Sequence, residues 1–359
     1  MEFRNNTPFP GLAFKQYNAR SELNGVLALR GTFDIRPGEA LAPSGSQTPF
    51  LLKDEYAGEG QRAHLLRQAD FVPFKPGTDV TVLARAHAPF GEPQPSWLAG
   101  IKVGDRQKLL RVHGPRHWQP DGDGWRLGEA APVSEVPLSY YLAHGGPIPK
   151  GAEDDGPQDC NRFNPLGPGL LDPKLSLKDR PLPAPQIEAA DEPITEWQKA
   201  YQPQGLAPIA PWWRFREQYT GTYDETWLAT RHPFLPPDFD YRFYNCAHPD
   251  LIFTPWLHGD EEIRLANLRP DAPLLAFSLP GLRLVCAAHR KIGETEILAM
   301  PLDGVHIDVV QLPLRVTLTW RVGFAWREGV RAVEAHLLGP AEPMSAASRQ
   351  PLPAETGHD

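Results

Sequence analysis

The residues whose types could do chemistry in this chain are histidines and aspartates gathered in turn-rich stretches. His113 and His117 flank the turn HGPRHW, and His232, His248 and His258 lie close in sequence to Asp238, Asp240, Asp250 and Asp260. Imidazoles and carboxylates on loops can ligate a metal or relay protons. Their spacing here matches no diagnostic ligand pattern, and unrelated loop histidines often look adjacent in sequence. The reading is therefore that they are solvated or hydrogen-bonded side chains, with no catalytic residue, cofactor or metal.

The stretch Gly221 to Asp240, GTYDETWLATRHPFLPPDFD, concentrates chemistry of another kind. It sets Tyr223, Trp227, Phe234 and Phe239 among Asp224, Asp238 and Asp240, with Pro233, Pro236 and Pro237 stiffening the path. Each proline removes a backbone donor and fixes φ, so neither a long helix nor a central strand fits. An ordered irregular segment remains, in which carboxylates bond turn amides and aromatics plug a sheet edge or anchor a partner. A glycosidase would also use two carboxylates beside an aromatic platform, but the sequence does not supply their separation. There is no GxSxG elbow, no GxxxxGK[ST] loop, no GxGxxG after a strand and no HExxH helix, so the common enzyme classes that leave short motifs have no support.

The elements that must position these residues are short strands. The 359 residues include 41 prolines and 31 glycines, about a fifth of the chain against roughly 12% in an average protein, which implies many turns and few long helices. Gly25–Ile35, Thr78–Ala88, Trp97–Val103, Lys108–His113 and Gly124–Leu127 form one series of strand-like runs, each bounded by Gly, Pro or Asp. A second series runs through Glu262–Leu268, Leu274–Leu279, Leu282–Ala288, Glu296–Met300, Val305–Val310 and Leu314–Trp326. In the last run Leu314, Val316, Leu318, Trp320, Val322 and Phe324 alternate with polar or small residues, which predicts one buried face.

The expected fold is mainly β: an N-terminal β-rich lobe (1–144), a Pro/Gly/aromatic-rich wrap (145–261), a C-terminal β-rich part (262–338) and a disordered tail (339–359). The β-rich parts are sandwiches or open barrels, either two sheets of one core or two lobes. Within the wrap, EPITEWQKAY places a short helix over Glu192 to Tyr201. A formal charge of −8 argues against a nucleic-acid partner. Cys160, Cys246 and Cys286, odd in number and in no CxxC pair, fit a reducing cytoplasm, and no window is apolar enough for a membrane span.

A set of short motifs in fixed order resembles one family. Asn6-Thr7-Pro8-Phe9, Arg30-Gly31-Thr32-Phe33 and Lys75-Pro76-Gly77-Thr78-Asp79-Val80 come first, then Pro137-Leu138-Ser139-Tyr140, Gly145-Gly146 and Asn164-Pro165-Leu166-Gly167. Gly221-Thr222-Tyr223-Asp224 with Trp227, and Leu235-Pro236-Pro237-Asp238-Phe239-Asp240, complete the set. From about residue 3 to about 325 the chain is similar to a large bacterial domain-of-unknown-function family encoded beside type VI secretion effectors. Two stretches depart from the pattern: His113-Gly114-Pro115-Arg116 lacks the acidic residue that often precedes Arg, and His144 stands where Phe is usual.

The resemblance implies a non-catalytic adaptor or chaperone that binds an effector carrying a PAAR tip, stabilises it and helps load it onto the VgrG spike. Asn164, Pro165, Gly167, Gly221, Thr222, Tyr223, Asp224, Trp227, Pro236, Asp238, Phe239 and Asp240 are then the partner-binding or motif-defining residues. A hydrolase acting on carbohydrate or ester through the His and Asp residues of the 221–260 loops, or a structural component of the secretion apparatus, are the alternatives.

Overall fold

The computed structural model describes residues 2–58, 63–148, 159–171, 181–290, 293–326 and 330–340. The tail expected to be disordered lies, beyond Pro340, outside the described residues, as do two pieces of the proline-rich wrap. In chain order the principal strands are β1 (Glu2–Asn6), β2 (Gly11–Tyr17), β3 (Leu23–Asp34), β4 (Thr78–Leu83), β5 (Ser96–Val103), β6 (Arg106–His113) and β7 (Ile187–Ala189). They continue with β8 (Ile252–Phe253), β9 (Glu262–Ala266), β10 (Leu274–Ser278), β11 (Leu282–Arg290) and β12 (Glu296–Ala299). The last are β13 (Leu302–Asp308), β14 (Arg315–Ala325) and β15 (Val330–Pro340).

The fold is mainly β, and its sheets do not close into a barrel. The central sheet has the order β8-β4-β13-β14-β3-β2, with the short pair Ala42–Pro43 beside β3. A second sheet runs β7-β6-β5-β9-β10 and a third β1-β15-β11-β12. All three mix strands from the two ends of the chain. β3 and β14 pair antiparallel along eleven residues, with Leu29 opposite Trp320 and Thr32 opposite Thr317, while β13 pairs β4 in parallel.

One hydrophobic core unites the sheets. Leu27, Leu29, Phe33, Val80, Val305, Val316, Leu318 and Trp320 of the central sheet pack in the same cluster as Ile101, Leu110, Ile263 and Phe277 of the second and Cys286 and Val333 of the third. The two β-rich parts seen in the sequence therefore share sheets and a core. Phe9 closes one end of this core, its ring 5.7 Å from Phe33 and 5.8 Å from Trp320.

The alternation in β14 marks one apolar face as expected, but its polar face is covered too. Thr317 and Arg321 are buried, as are Arg30 and Thr32 on β3 and Asp79 and Thr81 on β4. The covering layer comes from irregular chain: residues 44–51, residues 69–75, and the segment 203–210, every residue of which is buried. Leu206 O accepts from Val82 N and Cys246 O accepts from Ile209 N, so that wrap is bonded into place.

The helix expected over Glu192 to Tyr201 is absent; the stretch is turns. Its amides are satisfied from the side, Ile194 N by the Glu188 carboxylate and Thr195 N and Glu196 N by the Tyr201 hydroxyl, which removes the need for an intrahelical ladder. Among the described residues the two short α-helices are α1 (Arg214–Glu217) and α2 (Glu225–Thr230). No described helix is long and apolar enough to cross a membrane.

Leu318 is fully buried in the shared core, whereas Leu312 is 78% exposed. Leu318→Ala is expected to destabilise the protein by about 2–5 kcal/mol and Leu312→Ala by no more than about 0.5 kcal/mol, read from the shift of the urea midpoint at constant slope.

Candidate functional site

The Gly221–Asp240 segment is built from the devices its sequence suggests. Asp224 caps α2, its Oδ1 accepting from Trp227 N at 2.7 Å. Asp238 closes the loop back on itself by accepting from Thr222 N at 3.0 Å and from the Thr222 hydroxyl at 2.8 Å, bonds that hold its carboxyl below the usual range. Gly221 has a φ of +77°, and a Cβ there would sit 2.8 Å from Asp238 Oδ1, so this turn requires glycine. Asp240 caps the turn over Tyr241–Tyr244 and bonds Arg242 Nε at 2.8 Å; burial would raise its pKa, and the Arg242 bonds overcome this and lower it. These carboxylates fix turns.

The aromatics divide by depth. Phe239 and Pro236 are buried, the Phe239 ring edge-on to Tyr241 and Phe243. Trp227 is half-buried, donates its indole N–H to Phe234 O at 2.9 Å and holds His232 against its ring. Tyr223, edge-on to Trp227, is 49% exposed and Leu228 is 62% exposed. The segment is fastened to the β2–β3 hairpin: Phe234 meets Tyr17 edge-on at 4.9 Å, the Arg231 guanidinium donates to Ala19 O, and Ala19 N donates to the Tyr241 hydroxyl. Further half-exposed rings adjoin it, Phe71 packing on Phe14 and Phe74 on Tyr241 and Trp256. Tyr17, Phe71, Phe74, Tyr223 and Leu228 are each exposed on or beside these elements.

The Asn164–Gly169 turn, expected as partner surface, is instead an internal brace. Asn164 is fully buried; its Nδ2 donates to Tyr140 O, Ala143 O and His144 O, and its Oδ1 accepts from Leu166 N. Gly167 lies so close to Ala143 O that a Cβ would approach to 1.9 Å, and Gly146 would bring one within 1.5 Å of Gly167 O. Glycine is needed here for the approach of two backbones, while Pro165 is only half-buried beside them.

The histidines and aspartates with possible chemistry take separate partners. His113 Nε2 bonds Glu188, which burial raises and the bonds from His113 and Arg116 bring below its usual range. His248 Nδ1 lies 3.3 Å from both the amide and the carboxylate of Asp250, and the Asp250 carboxylate, beside His248 and bonded by Lys108, is strongly lowered. Among the described residues no group of three or more His, Cys, Asp or Glu is placed to hold a metal.

A site that the sequence did not reveal lies under the irregular cover of the central sheet. Across its polar face, one row reads Asp79, Gly304, Thr319 and Arg30 and the next reads Thr81, His306, Thr317 and Thr32, by strand register. A cavity of about 60 Å³ opens over these rows. Three ion pairs surround it: Arg30 with Asp70, Arg321 with Asp303, and Lys75 with Asp79 at 2.7 Å, all six side chains buried. Asp79 also accepts from Asn245 Nδ2 and from the amides of Cys246 and Ala247. Burial opposes the charge of Lys75, yet the Asp79 carboxylate holds its pKa above normal, whereas burial pushes Asp303 up and Cys246 to about 12. Arg30 and Asp79 sat in quoted sequence motifs, but their convergence depends on pairing between strands more than 200 residues apart.

Two outcomes follow from these environments. Asn164→Ala should cost roughly 2 kcal/mol or more, because it strips buried carbonyls of their donor, while Asp238→Asn should shift thermal stability only slightly; a calorimetric comparison of both variants checks this. Burial also pulls His64 and His144 down to about 4 and His306 to about 3. Their folded pKa lies below the unfolded value of about 6.5, so the unfolded chain binds more protons and stability is lost as pH falls through that window. The melting temperature should drop between pH 7 and pH 5, less steeply in His64→Phe.

Comparison with known proteins adds one match. No curated protein and no solved structure matches the chain. Residues 21–321 match the model of a family described as an uncharacterized protein conserved in bacteria (DUF2169), well over half of the 359 residues, and the chain belongs to that family.

Proposed function

We propose that this protein is a cytoplasmic, non-catalytic adaptor of type VI secretion that holds an effector bearing a PAAR tip and helps load it onto the VgrG spike. The observation that supports this reading is the set of exposed large apolar side chains Tyr17, Phe71, Phe74, Tyr223 and Leu228 on an immobilised scaffold. Large rings presented by a rigid frame bind at low entropic cost, since few rotamers remain to be frozen. The capped turn of α2, the Asp238–Thr222 bonds and the attachment of Arg231 to the β2–β3 hairpin supply that frame. Exposed apolar area of this kind suits a partner whose own apolar segment must be covered before assembly.

The ordering of roles is specific. Tyr223 and Leu228 make the contact, Trp227 and Phe239 support them from beneath, and Asp224 and Asp238 keep the turns that present them. Coexpression with the tip-bearing effector encoded beside the gene should yield a complex that copurifies. Tyr223→Ala combined with Leu228→Ala should weaken it by about tenfold or more, equal to about 1.4 kcal/mol, with the melting temperature unchanged. Absence of any complex with wild type, or full affinity in the double variant, would overturn the respective claims.

A further inference from the structure

The cavity over the central sheet has a lining rich in hydrogen-bond donors, and its acceptors are largely consumed. Arg30, Arg67, Lys75 and Arg321 face three carboxylates, Asp70, Asp79 and Asp303. Guanidinium and ammonium groups offer five and three donors each and no acceptor. Asp79 already accepts from Lys75, Asn245, Cys246 N and Ala247 N, and one oxygen of Asp70 accepts from both Arg30 and Leu51 N. Arg67 lies at the more open side of the cavity and is held from outside by Glu55.

In the wall, Arg30 Nε, Arg321 Nε and His306 Nε2 are buried without a bond, while His306 Nδ1 meets the Thr81 hydroxyl at 2.9 Å, the donor being set by the tautomer. The Thr317 and Thr319 side chains complete the floor, with Gly304 between Asp79 and Thr319 leaving it open. Two acceptors, Asp303 Oδ1 and Gln68 Oε1, are also unbonded. Four cationic side chains against three carboxylates leave the lining with an excess of positive charge, which is the physical reason to expect an anionic occupant. Bulk size limits it to a few heavy atoms: about 60 Å³ excludes a nucleotide or a sugar chain.

We propose that this cavity binds a small oxyanion, of the carboxylate, phosphate or sulfate class, between the guanidinium groups of Arg30 and Arg321 above Gly304. Guanidinium forks match the geometry of an oxyanion. The site is independent of the exposed apolar side chains proposed to meet a partner.

The test uses the full chain and follows melting temperature and calorimetric heat against phosphate, sulfate and acetate, with chloride at matched ionic strength as the reference. A saturable stabilisation by at least one oxyanion is expected, since a ligand that binds only the folded state raises its stability. Gly304→Ala is the fold-sparing variant: its methyl would stand 3.4 Å from Thr319 Cβ, ordinary contact, and would fill the floor without touching a charge. It should weaken binding by at least about tenfold, with its melting temperature in chloride retained; Arg67→Gln should weaken binding severalfold. A short peptide with a free C-terminal carboxylate, compared with its amide, separates a chain terminus from a free anion as the source. No oxyanion effect beyond chloride, or an undiminished response in Gly304→Ala, overturns the proposal.

Discussion

Burial of three ion pairs on the polar face of one sheet is the constraint on which the rest of the structure depends. Each of these charges, taken alone out of water, would cost several kcal/mol, and loss of one partner typically costs 3–5 kcal/mol. Arg30 comes from β3, Asp79 from β4, Asp303 from β13 and Arg321 from β14, while Asp70 and Lys75 come from the cover. The pairs are formed only if strands from both ends of the chain and the intervening loop are all in place. Register is fixed at the same time. A slip of one residue in β14 would turn Arg321 into the apolar core and Trp320 onto the charged face. The pairs therefore contribute more to the uniqueness of the pairing than to net stability.

The strands were legible because a period of two survives burial on one side. Ten of the runs marked by alternation and turn residues coincide with strands of the three main sheets, within a few residues at their ends, and in β14 the apolar set Val316, Leu318 and Trp320 was read with the right face. Composition could not show that the other face was buried as well. A polar residue under solvent and one under an ordered loop look alike in sequence, and the cover around Asp70 has no periodicity of its own. For the same reason the cavity was missed although Arg30, Lys75 and Asp79 stood in quoted motifs. The burial of Asn164 is hidden for a related cause: its environment is made by the carbonyls of Tyr140, Ala143 and His144, about twenty residues away. Local chemistry was the more readable part. The Asp224 cap and the Asp238 turn depend on neighbours within 16 residues and were correctly read as turn-fixing.

The high proline content acquires a physical role once the cover is seen. An irregular segment laid over a buried surface must satisfy every backbone donor without a ladder. Proline removes the donor outright, and Pro203 and Pro208 lie in the buried stretch that crosses β4. The remaining amides there are met by isolated bonds, such as Ile209 N to Cys246 O. Prolines also lower the entropy of the unfolded chain, so an irregular wrap is less costly to order. Without that saving, a cover lacking regular structure would fray and water would reach the ion pairs.

The same stiffness links the interior to the exterior. Asn245 and the amides of Cys246 and Ala247 bond Asp79 in the charged layer, and the turn over Tyr241–Tyr244 that leads into them packs its rings on Phe239 at the base of the Gly221–Asp240 segment. A continuous path of bonded and packed groups therefore runs from the buried carboxylate to the exposed Tyr223 and Leu228. Bound polar groups in the interior and a fixed presentation of rings at the surface are two consequences of one immobilised loop layer. Its rigidity comes from desolvated charge, which tolerates little displacement because the attraction that offsets desolvation falls off with distance.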